Sequence, residues 1–191
     1  MRRIAALEQQ IRRYVNDANL YERHFKNNLD EWIALCVAMD TLGDSCLALE
    51  YYEDFGIGKE YGEKYLKLYG LLQAIFLQQD SIRQLYRTFL QSVLQPSDGS
   101  AWMEIRDLRN AAVGHPIEKR DKAGAKRCFI PRIAISSNRF QLLAWYSDRE
   151  QYDSSDVDLK SLYESYKSEA VEHLESIHQA QIGKWGILQE H

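Results

Sequence analysis

Apolar residues recur every three or four positions over most of the chain, the period of helices with one buried face. Ile4, Leu7, Ile11, Tyr14 (or Val15), Ala18, Tyr21 and Phe25 keep that step, and no proline intervenes from about Ile4 to Tyr52. Asn27-Asn28 interrupts the row. Asp30 is placed to cap a second helix carrying Trp32, Ile33, Cys36, Val37, Met39 and Leu42. The stretch reads as one long kinked helix or as two. Phe55-Gly-Ile-Gly58 predicts a turn. Beyond it, Tyr65, Tyr69, Leu72, Phe76, Gln79, Ile82, Tyr86, Phe89 and Val93 form one row. Leu68, Leu71, Ile75, Ile82 and Leu85 form a second. Two rows make a broad apolar face, which predicts a central helix packed by several neighbours. Pro96-Ser-Asp-Gly99 stops it.

Ser100 can cap a short helix from Ala101 to about Val113, with Glu104 in its first turn. Gly114 suits a left-handed residue after the helix, and Pro116 biases His115 out of the helical region. Arg109 and Asn110 then occupy the last turn, with His115 just beyond it. Glu118 to Arg127 reads as a polar loop. Cys128–Ser136 and Arg139–Ser147 alternate as strands do, joined by Ser136-Ser-Asn138, and Pro131 implies an edge position. Asp148 to Asp158 reads as an acidic loop. Ser155 caps a final helix with Leu159, Leu162 (or Tyr163), Tyr166, Ala170, Leu174 and Ile177 facing inward. The tail frays from Gly183. These elements predict a mainly α fold: one domain over residues 1–191, a bundle of four to six helices with an antiparallel β-hairpin inserted near 128–147.

Composition fits that picture. The 191 residues are 45% hydrophobic and 27% charged, with a formal net charge of −4, so no basic nucleic-acid coat is expected. Cys36, Cys46 and Cys128 are an odd number without zinc spacing and read as reduced core or near-core thiols. No apolar run follows Met1-Arg-Arg, and no stretch approaches the ~20 apolar residues of a membrane span. A cytoplasmic protein without a membrane partner is expected.

Chemistry concentrates in Ile105-Arg-Asp-Leu-Arg-Asn-Ala-Ala-Val-Gly-His-Pro116. A guanidinium is a permanent cation, whereas an imidazole titrates near neutrality. RNA carries its own nucleophile, the 2′-hydroxyl beside each phosphate. A base that takes its proton starts in-line attack, and an acid protonates the leaving 5′-oxygen. An imidazole suits either role, and a forked guanidinium stabilises the phosphate oxygens. Arg109 and His115 supply these groups, with Asn110 to orient the imidazole or hold an oxygen. No metal or other cofactor is called for. One chain offers one such histidine, so a reaction needing both acid and base suggests two copies facing each other across a two-fold axis.

The run Arg109-Asn110-Ala-Ala-Val-Gly-His115 resembles the R-x(4–6)-H signature of the HEPN superfamily (higher eukaryotes and prokaryotes nucleotide-binding domains), in which the residue after the arginine is often Asn, Asp or His. The order of long helices, motif helix and closing helix is similar too, and the hairpin would be an insertion. The resemblance implies a metal-independent endoribonuclease acting as a homodimer and leaving 2′,3′-cyclic phosphate ends. Such domains serve as toxins, paired with an antitoxin, or as effectors of prokaryotic defence. It further implies that Arg109 holds the phosphate, Asn110 assists and His115 shuttles the proton. Many members have lost catalysis and bind nucleotides or partner proteins instead.

Around the motif, Lys119, Arg120, Lys122, Lys126, Arg127 and Arg132 face only Glu118 and Asp121. This excess can draw in RNA phosphates, or it can be a solvated loop. Arg106 lies one turn before Arg109 and either binds phosphate or pairs with Glu104 or Asp107, the pairing being favoured. His24, His173, His178 and His191 lack ligand spacing. Tyr51, Tyr52, Tyr61, Tyr65 and Tyr69 could stack bases, but their helical spacing reads first as packing. Gly56-Ile-Gly58-Lys59 lacks the P-loop frame.

Overall fold

Helix α1 (Arg2–Asp17) buries Ile4, Leu7, Ile11, Tyr14 and Val15, the row that its period picks out. The structure is a computed structural model that describes residues 1–120, 122 and 124–185. The first break comes earlier than Asn27. Asn19 takes a left-handed φ of 48°, and a π-helical turn follows at Tyr21–Phe25. Helix α2 (Leu29–Phe55) starts at Asn28, which acts as the cap in place of Asp30. The Asn28 side-chain oxygen accepts from the Glu31 backbone N–H, and Glu31 accepts in return from the Asn28 amide. This reciprocal pairing satisfies an orphan donor, while Asp30 only adds charge to the first turn.

Gly56 and Gly58 take positive φ in the expected turn. Helix α3 (Tyr61–Leu90) follows. Its second row, Leu68, Leu71, Ile75, Ile82 and Leu85, is buried. The first row is only partly so: Tyr69 is 37% exposed, and Val93 lies beyond the helix at 61%. The helix stops at Gln91, not at Pro96. Gln91 adopts φ 56°, with its N–H on the Arg87 carbonyl and its side-chain amide on the Thr88 carbonyl. Those bonds satisfy two late carbonyls that a helix end leaves open.

Helix α4 (Ala101–Arg109) is capped as expected, the Ser100 hydroxyl accepting from the Met103 N–H at 3.3 Å. A four-stranded antiparallel meander follows, β1 (Lys119–Arg120), β2 (Ala125–Phe129), β3 (Arg139–Tyr146) and β4 (Gln151–Asp158). This corrects three expectations. The polar loop of 118–127 contains β1 and the start of β2. The first hairpin strand is broken by a 3₁₀ turn at Arg132–Ala134, so that Phe129 pairs Leu143 but Ile135 pairs Phe140. Five residues therefore face two, and Pro131 sits at this bulge rather than in an edge strand. The acidic loop of 148–158 is largely β4, paired to β3 over its whole length.

Helix α5 (Leu159–Trp185) is capped by Asp158, whose carboxylate accepts from the Ser161 N–H; Ser155 instead pairs with Leu142 inside the sheet. Its expected inward row is buried throughout. The tail beyond Trp185 lies outside the described residues.

The chain divides into two compact units of non-contiguous segments, 1–50 with 77–96 and 167–191, and 51–76 with 97–166. In the first, Gln181 donates to the Ile11 carbonyl and Gln78 to Ser45. In the second, the Trp102 and Tyr166 rings pack 5.7 Å apart. Against the expectation that no stretch approaches a membrane span, helix α2 is long and apolar enough to cross one by length and composition alone. It buries Leu35, Leu42 and Leu49 but exposes Leu29, Ile33 and Val37.

Candidate functional site

The site lies wholly in the second unit. Helix α4 ends at Arg109, and the chain continues into a π-helical turn, Asn110–Gly114, closed by the His115 N–H on the Asn110 carbonyl at 2.8 Å. One extra residue in the turn widens it, and such turns recur at functional sites. Gly114 is not left-handed, which corrects the expectation of a left-handed helix end. Its role is space: a Cβ there would lie 2.9 Å from Arg109 Nη1. His115 leaves the helix, with φ −136° and ψ 52°, and is exposed.

Arg109 folds back over this turn. Its Nε and Nη2 donate to Gln73 Oε1 at 3.0 and 2.8 Å, and Nη1 donates to Asn110 Oδ1 at 3.1 Å. The guanidinium carbon lies 4.0 Å from the centroid of the Phe76 ring. All these partners are neutral, and Arg109 forms no ion pair among the described residues. Its charge is positioned but not cancelled, and two of its five N–H donors remain over. Arg106 stacks on the same ring, its guanidinium carbon 4.1 Å from the centroid. Favourable ring–cation attraction thus acts on both arginines.

Asn110 and His115 line one cavity of about 250 Å³ together with Asp107, Lys119, Lys126 and Cys128. Strand register explains the two lysines. Lys119 and Lys126 are direct cross-strand partners, so they share a face of the sheet. Like charges directly opposite each other are unfavourable unless an anion sits between them. Burial works to lower the Lys126 pKa, but a hydrogen bond to Tyr146, with Cys128 and Asp107 nearby, outweighs it and holds the ammonium above its ordinary value.

The remaining basic residues go elsewhere. Arg120 and Arg127 both bind Glu118, at 2.5 and 2.7 Å, and hold that carboxylate below its usual range. Lys122 is exposed between β1 and β2 and does not line the cavity. The basic loop is therefore sorted by strand face, two lysines inward to the cavity and two arginines onto one carboxylate.

Guanidinium and imidazole share no hydrogen bond among the described residues. Asn110 accepts from Arg109 and lines the cavity with His115. The imidazole has no hydrogen-bond partner among the described residues. Gln73, Phe76 and Asp107 were not named for the site by sequence reasoning. The first two are 36 and 33 residues from Arg109 and reach it only through packing, but Asp107 is two residues away, and helical phase places it towards the Asn110 side. Burial pushes the Cys128 thiol up, as befits a packing residue. No group of three or more His, Cys, Asp and Glu side chains converges among the described residues. No protein-family model, curated protein or solved structure matches the chain.

Proposed function

We propose that the chain is a metal-independent endoribonuclease of the HEPN type, working as a homodimer. One observation carries this reading: Asn110, His115, Lys119 and Lys126 line a single cavity while Arg109, anchored on Asn110, pairs with no carboxylate among the described residues. In the reaction the 2′-oxygen attacks phosphorus, the bond to the 5′-oxygen breaks, and a 2′,3′-cyclic phosphate and a 5′-hydroxyl form. One imidazole takes the 2′-hydroxyl proton. The imidazole of a second copy gives one to the leaving oxygen. Arg109 and the two lysines offset the charge gathering on the phosphate. The resemblance of the motif further suggests a toxin or defence effector restrained by a partner protein.

Incubation of RNA with the wild type in excess chelator is expected to give cyclic phosphate ends. His115→Ala should cut at least about a hundredfold more slowly, the usual weight of acid–base catalysis. A variant as fast as the wild type overturns the proposal.

The engagement of Arg109 by Gln73 and Phe76, rather than by the cavity that holds His115, favours one other reading. In it the same cavity binds a nucleotide or a partner protein without cutting. A thermal shift with nucleotides, without cleavage of total RNA, selects that reading.

A further inference from the structure

The wall of the Asn110–His115 cavity has a second side. Cys128 also borders a neighbouring cavity of about 580 Å³, lined with it by Ala112 and Pro116 and faced by Tyr61, Tyr65 and Tyr69 of α3. The volume is that of a site for a small organic group, ~300–1,000 Å³. The three tyrosines stand four residues apart along one helix face, and their spacing first reads as core packing. The structure reverses that reading for two of them: Tyr61 is 52% exposed and Tyr69 37%. Tyr65 is held by its hydroxyl, which donates to the Ile130 carbonyl at 2.7 Å, and its ring lies 5.7 Å from that of Tyr69. Arg132 is an exposed cation in the lining, and Lys64, outside it, donates to the Ile135 carbonyl with its Nζ 5.5 Å from the Tyr61 centroid.

Fixed aromatic faces framed by cations are the means by which proteins hold unpaired bases, since every base has a π-face and is joined to a phosphate. We propose that this cavity takes the nucleobases adjoining the scissile phosphate of a single-stranded RNA, one stacked on Tyr61 and one on Tyr69. The backbone then passes over Cys128 into the Asn110–His115 cavity, and Arg132 lies beside a base, not a phosphate, at the rim. Single strands are required, because a paired base cannot enter. The assignment rests on reading the neighbouring cavity as the cleavage site.

The test uses the full chain and a short 2′-O-methyl RNA, which lacks the nucleophile and stays intact. Its affinity is measured beside that of the same strand without bases, for the wild type, Tyr61→Ala, Tyr69→Ala and Tyr69→Phe. Both rings are exposed, and Tyr65, which braces Ile130, is left in place. Each alanine variant is expected to bind the base-bearing strand about tenfold more weakly, with the baseless strand unaffected. Tyr69→Phe should bind like the wild type. Equal losses for both strands, wild-type affinity in the alanine variants, or no binding by the wild type overturn the base site. Cleavage by His115→Ala is scored separately. Cutting that survives that substitution removes the nuclease reading and leaves a base site standing on the tyrosine losses. Cutting that His115→Ala abolishes, with Tyr61→Ala and Tyr69→Ala at wild-type affinity and KM, removes the base site alone.

Discussion

Gly114 decides where Arg109 can lie. Its φ is not in the left-handed region, so alanine fits the backbone there, and helix-like segments generally favour alanine over glycine by ~0.5–1 kcal/mol. The added Cβ, however, would stand 2.9 Å from Arg109 Nη1 and 3.6 Å from Asn110 Oδ1. The guanidinium, the loose end of a long side chain, must give way and lose its bond to Asn110. Gly114→Ala is therefore expected to melt at or slightly above the wild-type temperature while cutting RNA about tenfold more slowly, the scale of a lost bond to a charged group. A large fall in melting temperature, or full activity, would show that the close approach is not what the glycine serves. The sequence made Arg109, Asn110 and His115 visible because they fall within one short run at a helix end. It hid the hold of Gln73 and Phe76 on Arg109, because that hold depends on which turn of α3 packs against α4. It also gave no sign that Lys119 and Lys126 part company with Arg120 and Arg127, since a two-residue strand has no periodicity to read.

At the level of elements, the helices and strand β3 announced themselves, while β1, β4 and most of β2 did not. Long apolar rows at steps of three and four place α1, α2, α3 and α5 to within a few residues, because burial on one face leaves a repeating mark. Their ends were harder, since Asn28, Gln91 and Asp158 act through local side-chain bonds that compete with equally plausible neighbours such as Asp30, Pro96 and Ser155. Strand β4 escaped notice because it is the polar edge of the meander. Of its residues only Val157 and Asp158 are even half-buried, so no alternation survives, and Asp153 and Asp156 charge an edge that could otherwise pair with another chain. Asp158 joins this strand to α5. Its carboxylate accepts from the Ser161 N–H and pairs with Arg139, and these contacts hold its pKa below the ordinary value. A depressed folded pKa stabilises the fold above the unfolded pKa, near ~3.9, and that stabilisation disappears as pH falls through the folded value. Asp158→Asn keeps an acceptor for the cap but cannot titrate. In thermal melts from neutral pH downward, the wild type should lead the variant above about pH 4 and the gap should close in more acid solution. A gap that stays constant with pH would mean that the charge of Asp158 contributes nothing.

The molecule as a whole is acidic, with 24 Lys and Arg against 28 Asp and Glu. A protein of that balance has no general positive field, and any attraction for phosphate must be local. The second unit supplies it narrowly. Glu118 occupies Arg120 and Arg127, so the cations left for a backbone at the motif are Arg109, Lys119 and Lys126. For single strands each neutralised phosphate contributes about −0.7 to the slope of log affinity against log salt concentration, so three contacts give a slope of about −2. That shallow dependence is expected for the uncut 2′-O-methyl strand over moderate salt, with Lys119→Ala and Lys126→Ala each removing roughly 0.7 from its magnitude. Tight binding with a slope of about −4 or steeper would mean that Arg120, Lys122 and Arg127 also grip the strand, and that Glu118 releases its two arginines when RNA arrives. A slope near zero would leave the two facing lysines without a bound phosphate, and the phosphate reading of the cavity would fall with it.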